Sequence, residues 1–351
     1  MAAKTGADTA IGYRLNSTGA FDSHTQAGAS DLLIVNDFSH SKNQSELRIP
    51  GIGSGLVMDS ESFPGQINPG GSLTKPARYD DAGMFMLAQI FGTDTVMGMG
   101  SSSYLHSIVM NETHFGYFAT MGMQNDTSNA MDYENVYPSK VTFTGSPNAA
   151  LMQAVEWLAT NRRISGAQNS VSSLDSATLP TSTVAVIVRP DDYFYINDAS
   201  GGALSSSDKV NITQITIEFL REIENVPEIR GAEGLGQQRS SGDAPLQANV
   251  IINLKNQQNN TWYTALDAET EYKASFRATG AVIGGSNSEF FEFNFPRLKI
   301  VTDPEYNLSS TAENPTTIRF KALYASAAPT GMIKQYPYIR LQNRRSTSYL
   351  A

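Results

Sequence analysis

The chain has 351 residues, long for one core and comfortable for two, and it has no cysteine, which excludes disulfide staples, thiolate metal sites and cysteine nucleophiles. An apolar share of 40% excludes a disordered chain, and 34 acids against 25 bases leave a net charge of −9, the wrong sign for a protein that grips nucleic acid through its phosphates. No apolar run reaches the ~20 residues of a membrane helix, and the first thirty residues lack a signal-peptide core, so the chain is expected to fold in the cytoplasm where it is made, with no membrane partner.

In chain order, residues 1–30 are polar and small, with Tyr13 and Phe21 their only aromatics, and are expected to form an arm. Residues 59–78 are rich in Gly, Pro and Ser and suggest a loop. The clearest helix runs from Asp80 to Phe91: Asp80 and Asp81 suit its N-terminus, Met84, Leu87, Ala88 and Phe91 share one face, and Gly92 follows as the C-cap.

Most other segments alternate as strands. Strands are expected at 104–110, 115–123, 139–144, 183–196, 210–220 and 248–255. The sharpest alternation is Tyr272, Ala274, Phe276 and Ala278 against Lys273, Ser275, Arg277 and Thr279. Phe291, Phe293 and Phe295 continue it up to Pro296, and Ile318, Phe320, Ala322 and Tyr324 form a last strand. Segment 149–160 has helical spacing at Leu151, Ala154, Val155 and Leu158, so helix and strand both stay open there.

The organisation expected is an N-terminal arm (1–30), a first β domain (31–165), a Ser/Thr/Gly-rich linker (166–182), a second β domain (183–326) and a basic extension (327–351). The loop 231–245 holds four glycines, and the extension carries Lys334, Arg340, Arg344 and Arg345 with no acid. Docking onto a neighbour and a solvated terminus are both compatible with that composition. The halves share an order of parts: strand, Gly/Pro loop, helix, strands. Strand 46–58 and helix 80–91 open the first; strand 210–220, strand 248–255 and a helical turn at Trp262–Leu266 open the second. Duplication is one reading of that order.

The motifs of chemistry are absent. His24, His40, His106 and His114 have no metal spacing, although His106 and His114 flank a strand pair. Gly51, Gly53 and Gly55 have no helix directly after them, so they are not a dinucleotide loop. Asp80–Asp81 and Asp191–Asp192 are adjacent pairs whose side chains diverge. Eight of the twelve methionines fall between Met84 and Met131, which suits an irregular core. The seven N-x-S/T sequons, among them Asn111, Asn211 and Asn307, follow from Asn, Ser and Thr abundance. No catalytic, cofactor or metal residue is expected, and no enzyme.

The run from Ala77 through Asp80, Met84 and Phe91 to Gly92 is similar to the glycine-terminated helix of phage tail tube proteins. Tyr104–Ile108, Phe115–Phe118 and Tyr137–Thr144 resemble the strands that follow it, although Tyr137-Pro138 stands where that family usually has a glycine. Lys209–Phe219 with Pro227–Ile229, Phe293–Lys299 and Thr316–Ala325 resemble its later parts, so the resemblance covers residues 45–326. It implies a mainly β fold, a tail-tube-type β-sandwich or barrel with a flanking helix, with two duplicated tube domains if the repeat is real. It further implies a structural subunit of the virion tail of a long-tailed phage, assembled in the host cytoplasm. Its partners would be copies of itself in stacked rings, other tail proteins, and genomic DNA passing through the lumen without specific binding. A repeat would give a trimer with pseudo-sixfold symmetry; without one, a hexamer is expected. An acidic lumen fits the net charge. The rival readings are another virion component such as a capsid or decoration protein, a carbohydrate-binding adhesin, and a hydrolase with scattered residues.

Overall fold

The computed structural model describes residues 10–50, 59–111, 116–124, 128–164, 166–180, 183–228, 235–240, 246–255, 261–306 and 315–351. The protein is mainly β, built on a large antiparallel sheet with few helices. Half one contains β1 (Ile11–Leu15), β2 (Asp37–Ser41), β3 (Gln44–Pro50), β4 (Asp59–Ile67), β5 (Gly70–Pro76), α1 (Ala82–Phe91), β6 (Gly92–Gly100), β7 (Ser103–Met110), β8 (Ala119–Gln124), β9 (Ala130–Gly145), β10 (Ala149–Ala150), β11 (Met152–Leu158) and β12 (Asn161–Arg163). A short helix α2 (Val171–Ser176) leads to half two: β13 (Ile187–Val188), β14 (Tyr193–Asp198), β15 (Ile212–Leu220), β16 (Ile223–Val226), β17 (Gly236–Ser240), β18 (Gln247–Lys255), α3 (Thr261–Asp267), β19 (Glu271–Gly284), β20 (Asn287–Ile300), β21 (Glu305–Tyr306), β22 (Pro315–Ala322) and β23 (Tyr338–Asn343).

The expected helix is present, with Asp81 as its N-cap accepting from the Gly83 amide and Gly92 left-handed at its C-cap. Segment 149–160 is extended. Along β11, Gln153, Val155 and Trp157 are buried while Glu156 is exposed, a period of two that outweighs the helical spacing of the aliphatic residues. Strand 183–196 is not continuous; only β13 and β14 form there. The strand expected to stop at Pro296 runs on to Ile300. Tyr272 faces Leu298 and Ala274 faces Phe295, so Pro296 and Arg297 together oppose Lys273 alone. Pro138 in β9 sits at the same kind of irregularity, with Ser139 the extra residue. A bulge is where a strand tolerates a residue without an N–H.

The two halves repeat one pairing scheme. A strand (β2 or β15) pairs with the strand beyond an intervening hairpin (β5 or β18). Each hairpin, β3–β4 or β16–β17, is a separate two-stranded ribbon. A five-residue connection then leads into α1 or α3. The closing strand (β11 or β22) returns along the far edge of β5 or β18, with Val155 opposite Leu73 in one half and Ile318 opposite Ile252 in the other. The counterpart of 210–220 is therefore β2, and not the segment 46–58, whose described part lies in the ribbon.

Within the large sheet two joints weld the halves, and outside it β10 pairs with β13. The C-terminal part of β9 pairs with β11 on one edge and β15 on the other, so a sheet runs continuously as β2–β5–β11–β9–β15–β18–β22. On the opposite layer β23 inserts between β7 and β20. One hydrophobic cluster spans both halves, and Phe143, Phe219 and Phe276 all pack on Phe293 at the seam. Two expected outlying segments are part of this body. The arm contributes β1, whose Tyr13 is fully buried and donates its hydroxyl hydrogen bond to Gln89, while residues 1–9 lie outside the described residues. The basic extension supplies β23 and the buried Tyr349. The expected linker folds as α2, with Leu174 packed on Ala27 and Ala130.

Candidate functional site

The residues first weighed for chemistry have structural work. His106, fully buried, sets Nδ1 3.1 Å from Asp94 and Nε2 3.0 Å from the Arg345 carbonyl. Asp94 also accepts from the Tyr349 amide at 2.7 Å. With both ring nitrogens engaged, this pair fastens the C-terminal segment and offers no free base. His114 and the glycines 51, 53 and 55 lie outside the described residues. Asp192 accepts from the Arg189 and Thr279 amides, a turn clamp whose carboxyl is raised by burial. Asp80 lies 3.8 Å from Arg345 and is also raised, by burial first. Met84, Met86, Met121 and Met131 are core, while Met97 and Met99 are exposed on the β6–β7 hairpin. No group of three or more metal-ligating side chains occurs among the described residues.

What the fold leaves open is backbone and one broad face. Among the described residues β2 pairs only with β5, and β21 only with β22, so each ends the sheet with a free edge. Unpaired edges are templates for another strand. The exposed Val301 lies just before β21, and the exposed Ile34 just before β2.

The face of the seven-stranded sheet turned away from the core is polar, in rows fixed by register. One row runs Asp37, Thr74, Ala154, Thr142, Glu218, Asn249, Lys321 and, on β20, Lys299. Its side chains are knitted to one another. Lys140 reaches Glu218 at 2.9 Å, and the Asn249 amide donates to Glu218 at 3.2 Å. Asn253 donates to Gln214 at 2.9 Å, Thr317 donates to Asn253 at 3.0 Å, and the Ser39 and Ser72 hydroxyls bond at 2.8 Å. The Lys140 ammonium is raised, first by its hydrogen bond to Glu218. The outward charges of this face are mixed: half one shows Asp37 and Glu156 against Lys140, and half two shows Glu218 and Glu305 against Lys255, Lys299, Arg319 and Lys321, with Glu271 of β19 opposite Lys299.

Strand alternation makes these outward positions readable in sequence. The edges were not, because an edge is defined by which strands fail to meet it. No protein-family model matches the chain, and no curated protein matches its sequence. No helix among the described residues is long and apolar enough to cross a membrane.

Proposed function

We propose that this chain is a self-assembling structural subunit of a bacteriophage tail tube, which closes into rings by continuing its own sheet from copy to copy. The observation that carries the reading is the β9–β15 joint. Within one chain, the last sheet position of half one receives the first strand of half two. The matching acceptor in half two is the edge at β21, and the matching donor in half one is β2; among the described residues each lacks a strand on its outer side. Joining them between copies repeats the internal joint and removes both edges.

Strand spacing supports a count of three. Each chain offers about eight strands, at about 4.8 Å each, so three chains give a ring roughly 37 Å across its backbone and two give roughly 25 Å. With side chains lining the wall, three is the smallest number that admits a DNA duplex. Three two-part chains make the pseudo-sixfold ring that the resemblance to tail tube proteins implies. The ribbon β3–β4, a separate two-stranded unit, is suited to reach the next ring, whereas β16–β17 folds back on half one, Gln238 donating to the Asn135 carbonyl at 3.1 Å and Asn225 to the Ala159 carbonyl at 3.0 Å; other tail proteins would cap the stack in the virion. DNA would pass through without sequence-specific contact, since the polar face offers a knitted mosaic and not a base-reading element.

The test is negative-stain microscopy with native mass spectrometry at rising concentration. Hollow tubes, and trimers as the smallest ring, are expected. Closed shells or isolated spikes would favour another virion component or an adhesin.

A further inference from the structure

Although the chain is acidic, pairing gathers positive charge at one corner of the polar face. Lys299 on β20 lies directly opposite Lys321 on β22, and Arg319 lies two residues along on the same face. Lys255 ends the adjacent strand β18, also facing outward. Like charges directly opposite one another cost a sheet stability. Three acids lie beside Lys299 and Arg319; Glu271 on β19 is opposite Lys299 but is held by Arg297. Glu269 bonds Lys299 at 2.6 Å and Glu305 bonds Arg319 at 3.1 Å, but these carboxylate side chains are 75% and 59% exposed. Such pairs are screened and readily exchanged for another anion. Lys321 is exposed, directly across from Lys299. The half-one part of the face has the opposite balance, with Asp37 and Glu156 outward against Lys140.

We infer that Lys299, Arg319 and Lys321 form a phosphate-contact stripe that touches the backbone of duplex DNA in the channel. Which side faces the channel rests on the tube reading; the clustering rests on register alone. In a three-chain ring the stripe recurs three times, separated by the acidic parts of half one. Contacts of this kind hold the duplex near the axis, and the intervening repulsion keeps each of them short-lived. Phosphate contact carries no sequence information, as a conduit requires.

The experiment titrates a fluorescent duplex of about 20 base pairs into full-length subunit kept dilute and unassembled, over a range of salt. Binding is expected whose log affinity falls against log salt with a slope of about −2 to −3, one increment of about −0.9 per neutralised phosphate. The triple substitution K299Q/R319Q/K321Q should weaken it at least tenfold, while D37N/E156Q should strengthen it. Equal binding by wild type and the triple variant, or a slope near zero, overturns the inference. Circular dichroism on each variant guards against unfolding. Microscopy of the same preparations separates the two claims. Tubes together with unchanged duplex binding by the triple variant sink the stripe and leave the tube reading intact. Wild-type protein that never forms rings sinks the tube reading and the channel role with it.

Discussion

Helices α1 and α3 stand at the same place in the two halves and are held in different ways. All ten residues of α1 are buried. The ammonium of Lys75, on β5, is buried against the Asp81 cap, and the Gln153 side chain donates to the Gly83 carbonyl at 3.0 Å. Burial pushes Lys75 down from the usual lysine range, with Asp81 opposing. Register puts Leu254 and Thr316 where half one has Lys75 and Gln153. In α3 only Trp262 and Ala265 are buried, Trp262 against Tyr272 and Phe320. The buried ion pair is therefore no requirement of the scheme. It accompanies a helix that is enclosed on every side, by β1 through Tyr13 and by the C-terminal segment through Tyr349, whose ring meets Phe85 at 5.3 Å.

The contrast sets an order of effects. Lys75→Met strands Asp81 as a buried charge without its partner and should cost about 3–5 kcal/mol in urea unfolding. Adding Asp81→Asn should recover much of that loss, because half two manages with Leu254. Trp157→Ala should cost about 3–5 kcal/mol, and Trp262→Ala the lower end of that range, since Trp262 sits nearer the rim. Gly83→Ala places a Cβ 2.3 Å from Lys75 Cε and 2.4 Å from Gln153 Oε1, an overpacking worth about 1–3 kcal/mol. The smallest effect is that of Asp80→Asn. Burial raises the Asp80 carboxyl, so the folded state holds its proton longer than the unfolded state, and wild type loses stability as pH climbs from about 3.9 through the folded value. The variant should lack that loss and show a flatter stability curve over that window.

Much of the fold was legible from local pattern. Gly92 and the acids before Ala82 mark α1, and alternation marks β18, β19 and β22. The apolar face seen in α1 was one stripe, however. Gln89 is buried too, because Tyr13 reaches it from more than seventy residues upstream, and no local periodicity reports that. The same limit hid β23: Tyr338, Ile339 and Leu341 are buried only because β7 and β20 leave a gap between them, and a basic, aromatic composition suggested docking onto a neighbour or a solvated terminus instead. The order of parts exposed the repeat, yet its alignment was displaced onto the ribbon, since Gly- and Pro-rich sequence at 59–78 conceals that β4 and β5 pair with different partners.

The central claim is that the free edges at β2 and β21 meet between copies in the register of the internal joint. In that joint Glu218 faces Thr142. Carried across the repeat, the same register sets Ser41 of one copy opposite Glu305 of the next. The chain has no cysteine of its own, so the double variant S41C/E305C reports this contact cleanly. Oxidised tubes, run without reductant, should yield dimers and closed trimers, with neither single variant doing so. Tubes that form normally and yet give only monomers on oxidation would contradict the account.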